Sequence, residues 1–132
     1  MPAAKVNHIE INYQTSGKGT PLVLVHGHPF DHTMWYPQIE AFSPHYQVIT
    51  PDLRGYGKSG LPAKANTRFE DYATDILLLL DHLKVGSFHL SGLSMGGQVI
   101  MEMFRQAPKR MGAFQIVAKQ LILPRQPFPQ PI

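Results

Sequence analysis

The residues best suited to chemistry are Gly92-Leu93-Ser94-Met95-Gly96, a serine with a glycine two positions away on either side. Phe88-His89-Leu90 before it reads as a short strand, and Gln98 to Gln106 after it as helix-permissive. A serine forced into a sharp strand-to-helix turn has a strained backbone, and the residues two before and two after it nearly touch. Only small side chains fit there, hence Gly92 and Gly96, with Gly97 easing the approach to a neighbouring strand. Such a turn lifts the Ser94 hydroxyl out at the C-terminal edge of a sheet. It also aims the Met95 backbone N–H, at a helix N-terminus, toward the place where an oxyanion forms. The pattern therefore predicts a nucleophile for acyl transfer and one oxyanion donor. An ordinary glycine-rich turn with a capping serine is the plain alternative.

An oxyanion hole needs two donors. Pro21-Leu22-Val23-Leu24-Val25 is a continuous aliphatic run, as in a strand covered on both faces, and it stops at His26-Gly27-His28-Pro29. The tight loop at that stop supplies the second donor through the His28 N–H. Trp35 and Tyr36, just beyond, are candidates to line an acyl pocket; a core role suits them equally well.

Two other patterns carry a different chemistry. His26-x-His28 followed by Asp31-His32 resembles an H-x-H-x-D-H metal cluster, which would make this a metal-dependent hydrolase using His26, His28 and His32. Here Phe30 is one residue too many and shifts the last ligands off the required geometry. Gly57-Lys58-Ser59 echoes a phosphate loop. That motif needs glycine where Asp52 stands and a helix where Gly60-Leu61-Pro62 forbids one, so it is rejected.

The elements that must position these residues alternate. Ile9, Ile11 and Tyr13 read as a half-buried strand, followed by a turn at Ser16-Gly17-Lys18-Gly19. Tyr46 to Thr50 is another short strand, and Asp52 to Lys64 is a glycine-rich loop. Thr67-x-x-Glu70 reads as a capping box, with Asp71 and Asp75 placed to complement a helix N-terminus. Phe69, Tyr72, Ile76, Leu79, Leu80 and Leu83 then form one apolar stripe, closed by Lys84 and Gly86. Gly112 to Ala118 reads as one more strand. Strand and helix in alternation predict an α/β protein: three layers, α/β/α, around a mostly parallel sheet.

Composition narrows the class. With 132 residues, 43% hydrophobic and 16% charged, the chain is one domain with a core able to close. It has no cysteine, hence no disulfide, no thiol nucleophile and no Cys-ligated metal. The net charge of +3 comes from scattered Lys and Arg, so no nucleic-acid partner is expected. No apolar run approaches a bilayer span and no signal-peptide stretch is evident, so the expectation is a cytosolic protein without a membrane partner.

Three ordered motifs resemble those of the α/β-hydrolase fold family. They are Val25-His26-Gly27-His28-Pro29, then Pro51-Asp52-Leu53-Arg54-Gly55-Tyr56-Gly57-Lys58-Ser59, then Gly92-Leu93-Ser94-Met95-Gly96-Gly97. The likeness runs from about Ile9 to about Ala113 and is nearest to esterases, enol-lactonases and cofactor-free haloperoxidase-like members. The resemblance implies Ser94 as nucleophile, His28 and Met95 N–H groups as oxyanion hole, a small ester-like substrate and no cofactor. It implies a mainly structural role for the Asp52 to Ser59 loop.

The family also uses an acid and a histidine after the serine. Here only Glu102 follows, two turns into the next helix, and all seven histidines precede Ser94. His82 falls on the preceding helix and His89 too far down the feeding strand. The expectation is therefore the N-terminal half of such a domain over residues 1–118, truncated before the lid and last strands or frameshifted near Ala113. Residues 119–132 form a proline-rich extended tail. Such a chain should be nearly inactive and poorly stable, with an open sheet edge. The rival expectation is a non-catalytic short paralogue or fragment that acts by binding.

Overall fold

A computed structural model describes residues 2–62 and 66–117. Six strands form one sheet in the order β1-β2-β4-β3-β5-β6. The strands are β1 (Ala3–Val6), β2 (Ile9–Ser16), β3 (Thr20–Val25), β4 (Tyr46–Pro51), β5 (Phe88–Leu93) and β6 (Met111–Val117). The first two meet their neighbours antiparallel, and β4, β3, β5 and β6 run parallel. The helices are α1 (Tyr36–Phe42), α2 (Phe69–His82) and α3 (Met95–Gln106).

The aliphatic run of β3 is covered on both faces, as its composition predicts. Val23 and Val25 point into a core built with Ile76 and Leu80 of α2 and Val99, Ile100 and Met103 of α3. Leu24 points the other way, onto Trp35 and Ile39, where α1 lies. This alternation gives the three layers. A third cluster, Ala4, Ile9, Ile11 and Tyr13 against Leu79, seats the antiparallel pair on α2.

Several local expectations shift. Strand β1 and the bounds of α1 go beyond what the sequence pattern predicts. Asn7 and His8 join β1 to β2 with φ of 50° and 63°, and a two-residue turn of this kind carries little hydrophobic pattern to read. At the start of α2 the Asp71 carboxylate accepts the Arg68 N–H at 2.9 Å, so the cap sits one residue later than Thr67-x-x-Glu70. Asp75 does not serve the helix terminus. It is buried and takes Arg54 Nε at 2.6 Å and Asn7 Nδ2 at 2.9 Å. The helix is closed by Lys84, at φ 60°, with the Val85 N–H returning to the Leu80 carbonyl, rather than by Gly86.

Strand β6 covers Met111–Val117, close to the expected Gly112 to Ala118. Among the described residues it pairs only with β5, and its Phe114 and Ile116 are 42% and 41% exposed. The tail at 119–132 lies outside the described residues. No helix among the described residues is long and apolar enough to cross a membrane.

Candidate active site

Ser94 stands between the last residue of β5 and the first of α3, with φ 53° and ψ −109°. That left-handed conformation is strained for any residue with a side chain. Tertiary packing imposes it. A Cβ on Gly92 would stand 2.6 Å from the Gly96 carbonyl oxygen, and one on Gly96 would stand 2.7 Å from the His26 carbonyl oxygen. The two glycines thus let the turn close on itself and let α3 lie against the end of β3. The Ser94 carbonyl accepts Gly97 N–H at 2.9 Å and Gln98 N–H at 3.4 Å. Intrahelical bonding therefore begins at Gly97, and the Met95 N–H stands ahead of it at the positive end of α3.

The loop after β3 lies against this turn. A Cβ on Gly27 would meet the Leu93 carbonyl oxygen at 2.6 Å and Ser94 Cβ at 3.5 Å. Phe30 N–H closes the loop on the Gly27 carbonyl at 2.8 Å, with His28 between them. His28 thereby becomes a near neighbour of Ser94 and Met95, although 66 or more residues separate them in sequence.

The Asp52 to Ser59 loop holds both pieces. The Asp52 side chain is fully buried and accepts the His32 N–H, His32 Nδ1, Asn12 Nδ2 and the Lys58 N–H at 2.8 to 3.1 Å. Burial pushes its carboxyl up, but the hydrogen bonds from His32, Asn12 and Lys58 outweigh that and hold it below the ordinary 3.8. His26, fully buried, accepts the Leu53 N–H on Nε2 at 3.0 Å and turns Nδ1 to the Gly27 carbonyl at 3.1 Å. Desolvation lowers its pKa, so the ring is a neutral brace carrying its proton on Nδ1. Tyr56 brings its hydroxyl to His28 Nδ1 at 2.8 Å and to Met95 Sδ at 3.7 Å.

These bonds correct the metal reading. His26 spends both ring nitrogens inside the protein, and His28 turns Nδ1 to Tyr56. Among the described residues the group whose ligand atoms cluster is Asp31, His32 and Asp52, without His26 or His28. In that group Asp52 is already saturated by four donors, and Asp31 caps Thr33 N–H at 2.9 Å.

Trp35, named as a possible pocket residue, packs with Leu24, Ile39 and Val48 in the α1 layer. It lines an apolar groove of about 490 Å³ with Leu22, Phe42, Leu90 and Phe114, alongside the middle of the strands. Ser94 does not line that groove. A shallow cleft of about 520 Å³ does open beside Met95, bounded by Phe69, Tyr72 and Glu102.

His82, His89, His32 and the late acid have other surroundings. His89 Nδ1 accepts the Ala113 N–H at 2.8 Å across β5 and β6. His82 is exposed on α2. Glu102 is held by Arg105, whose guanidinium lowers its carboxyl pKa. His32 and Asp52 do form a histidine–carboxylate pair, yet His32 Nε2 is buried and has no hydrogen-bond partner among the described residues. Sequence reading missed the parts played by Asp52, His26 and Tyr56; the only signal was that their motif stood out.

Comparison with known proteins agrees with this architecture. The alpha/beta hydrolase fold family model matches residues 20–130, so the family likeness runs past Ala113. The chain is 36% identical over 117 residues to the (E)-2-((N-methylformamido)methylene)succinate hydrolase of Acinetobacter baylyi, covering 86% of this chain and 44% of that one. A thermophilic esterase from Thermogutta terrifontis superposes with a TM-score of 0.78 at 39% identity, over 82% of this chain and 40% of that one. The enol-lactonase from Burkholderia xenovorans LB400 gives 0.79 at 32% identity, over 86% and 45%. The chain thus spans less than half the length of these relatives. By the match of its ordered motifs, its sheet order and the family model over residues 20–130, this chain belongs to the α/β-hydrolase fold family.

Proposed function

We propose that this chain carries the nucleophile half of a cytosolic serine hydrolase acting on a small ester, lactone or similar acyl substrate. The observation that carries the reading is Ser94, held at φ 53° between β5 and α3 with the His28 loop packed on it. Ser94 Oγ attacks the acyl carbon, and the carbonyl electron pair moves onto oxygen. That oxyanion takes the Met95 and His28 N–H groups, fixed dipoles that need no reorganisation as charge develops. Collapse expels the alkoxide, and water then releases the acyl group from Ser94. The proton from Ser94 goes to a histidine backed by an acid, both outside these 132 residues, and from the histidine to the leaving alkoxide. The chemistry calls for no cofactor, nucleic acid or membrane.

A fluorophosphonate probe tests the reading. Phosphonylation of Ser94, identified by peptide mass and absent in Ser94→Ala, is expected. It should be slow in this chain and fast once a segment carrying the acid and histidine is joined to it, when ester hydrolysis should appear too.

A second reading, a non-catalytic binding fragment, draws on the engagement of the nearby histidines. His26 and His28 Nδ1 are bonded elsewhere and His32 Nε2 is buried, so none of these ring nitrogens is placed to serve Ser94 as base. A folded chain that never labels, even with the added segment, supports this second reading and overturns the first.

A further inference from the structure

The two proposed oxyanion donors come from separate parts of the chain. The His28 N–H belongs to the loop after β3, and the Met95 N–H to the first turn of α3. Oxyanion stabilisation depends on the distance between such donors, and a misplacement of about 1 Å can cost on the order of a hundredfold in rate. Backbone packing of Gly27 on Leu93 brings the two segments together, but that contact does not by itself fix the outer residues His28 and Met95.

One atom touches both. The Tyr56 hydroxyl lies 2.8 Å from His28 Nδ1 and 3.7 Å from Met95 Sδ. The Tyr56 ring stands edge-on to the His28 ring, with centroids 5.7 Å apart, and to that of His26 at 5.3 Å. We propose that Tyr56 is a positioning residue of the oxyanion hole, its hydroxyl bridging the side chains of His28 and Met95 so that their N–H groups keep one spacing. The inference rests on the assignment of Ser94, His28 and Met95 given above, and it concerns a residue that the motif likeness marks only as structural.

The bridge explains two side chains that the hole does not otherwise need. Oxyanion binding uses backbone alone, so any residue with an N–H would serve at positions 28 and 95. Here position 28 carries an imidazole and position 95 a thioether, and each offers the same phenol a partner. A phenylalanine at 56 would keep both ring contacts and lose the bridge, together with the hydroxyl's hydrogen bond to Tyr72. His26 would still brace the inner part of the loop through Leu53.

Tyr56→Phe in the 132-residue chain tests this. Amide ¹⁵N relaxation is read at His28 and Met95, and binding of phenylboronic acid, whose tetrahedral adduct with Ser94 mimics the intermediate, is read in parallel. The expected result is faster motion of both amides in the variant with an unchanged melting temperature. The boronate should also bind about tenfold more weakly. Unchanged relaxation at both amides overturns the proposal. Should the parent bind no boronate, because its Ser94 lacks a base, relaxation alone decides the role of Tyr56, and the serine-hydrolase reading is judged by the probe on the extended chain. Should Tyr56→Phe not fold, the ring ¹⁵N shifts of His28 in the parent decide: an Nδ1 without a hydrogen bond overturns the bridge.

Discussion

One oxygen of the Asp52 carboxylate accepts two hydrogen bonds from His32, from its backbone N–H and from its ring Nδ1, each at 2.8 Å. The other oxygen takes Asn12 Nδ2 and the Lys58 N–H. A single buried side chain therefore joins β2, the segment after the His28 loop and the glycine-rich turn that carries Tyr56. Cutting it should loosen the site from three sides.

Asp52→Asn leaves buried donors without acceptors and is expected to cost about 2–4 kcal/mol in urea unfolding. The pH dependence has a definite sign. The folded carboxyl lies below its ordinary 3.8, so its contribution is present above that value and is lost as pH falls through the depressed one. His26, lowered from 6.5 by burial, adds a separate slope. Below that value the unfolded chain takes up a proton that the folded ring refuses, and stability falls as pH drops. Unfolding followed down from about pH 7 should decline in two windows, and Asp52→Asn should shrink the more acidic one, to which Asp31 and Glu102 also contribute.

Ser94→Gly is expected to stabilise the fold by about 1 kcal/mol while abolishing probe labelling, because glycine carries no penalty at φ 53°. Denaturant midpoints of the two proteins check this. A midpoint that drops on substitution would mean that the Ser94 side chain makes contacts worth more than the strain it bears.

Gly96→Ala should destabilise by about 2–4 kcal/mol, since the new methyl is driven into the carbonyls of Val25 and His26, which cannot retreat without breaking β3. Gly86→Ala is the control, because a Cβ there meets nothing within 4 Å. Thermal unfolding of the pair should separate them by several degrees. Equal melting temperatures would show that α3 does not press on the end of β3.

Much of this molecule was legible one residue at a time. The aliphatic run Leu22 to Val25 announces a strand with both faces covered, and the stripe from Tyr72 to Leu80 announces a helix with one apolar side. Each is a local period. Gly92 and Gly96 declare the sharp turn at Ser94, because no larger residue fits the close approach they permit. What stayed hidden was every relation between distant segments. Asn7 and His8 turn the chain at positive φ, and that short turn carries too little hydrophobic pattern to mark β1 before it. The acidic residues after Arg68 looked alike in sequence, yet Asp71 caps α2 while Asp75 turns inward to Arg54.

The same division runs through the site. Residue types and spacing named Ser94, Met95 and His28 as the groups able to carry acyl chemistry, since nucleophile geometry depends on neighbours only a few positions away. The structure alone decided that His26 is a brace and not a ligand, that Asp52 gathers donors from positions 12, 32 and 58, and that Tyr56 reaches both His28 and Met95. Hydrogen bonds across tens of residues are set by how strands and loops stack in three dimensions. A linear pattern holds no record of that stacking.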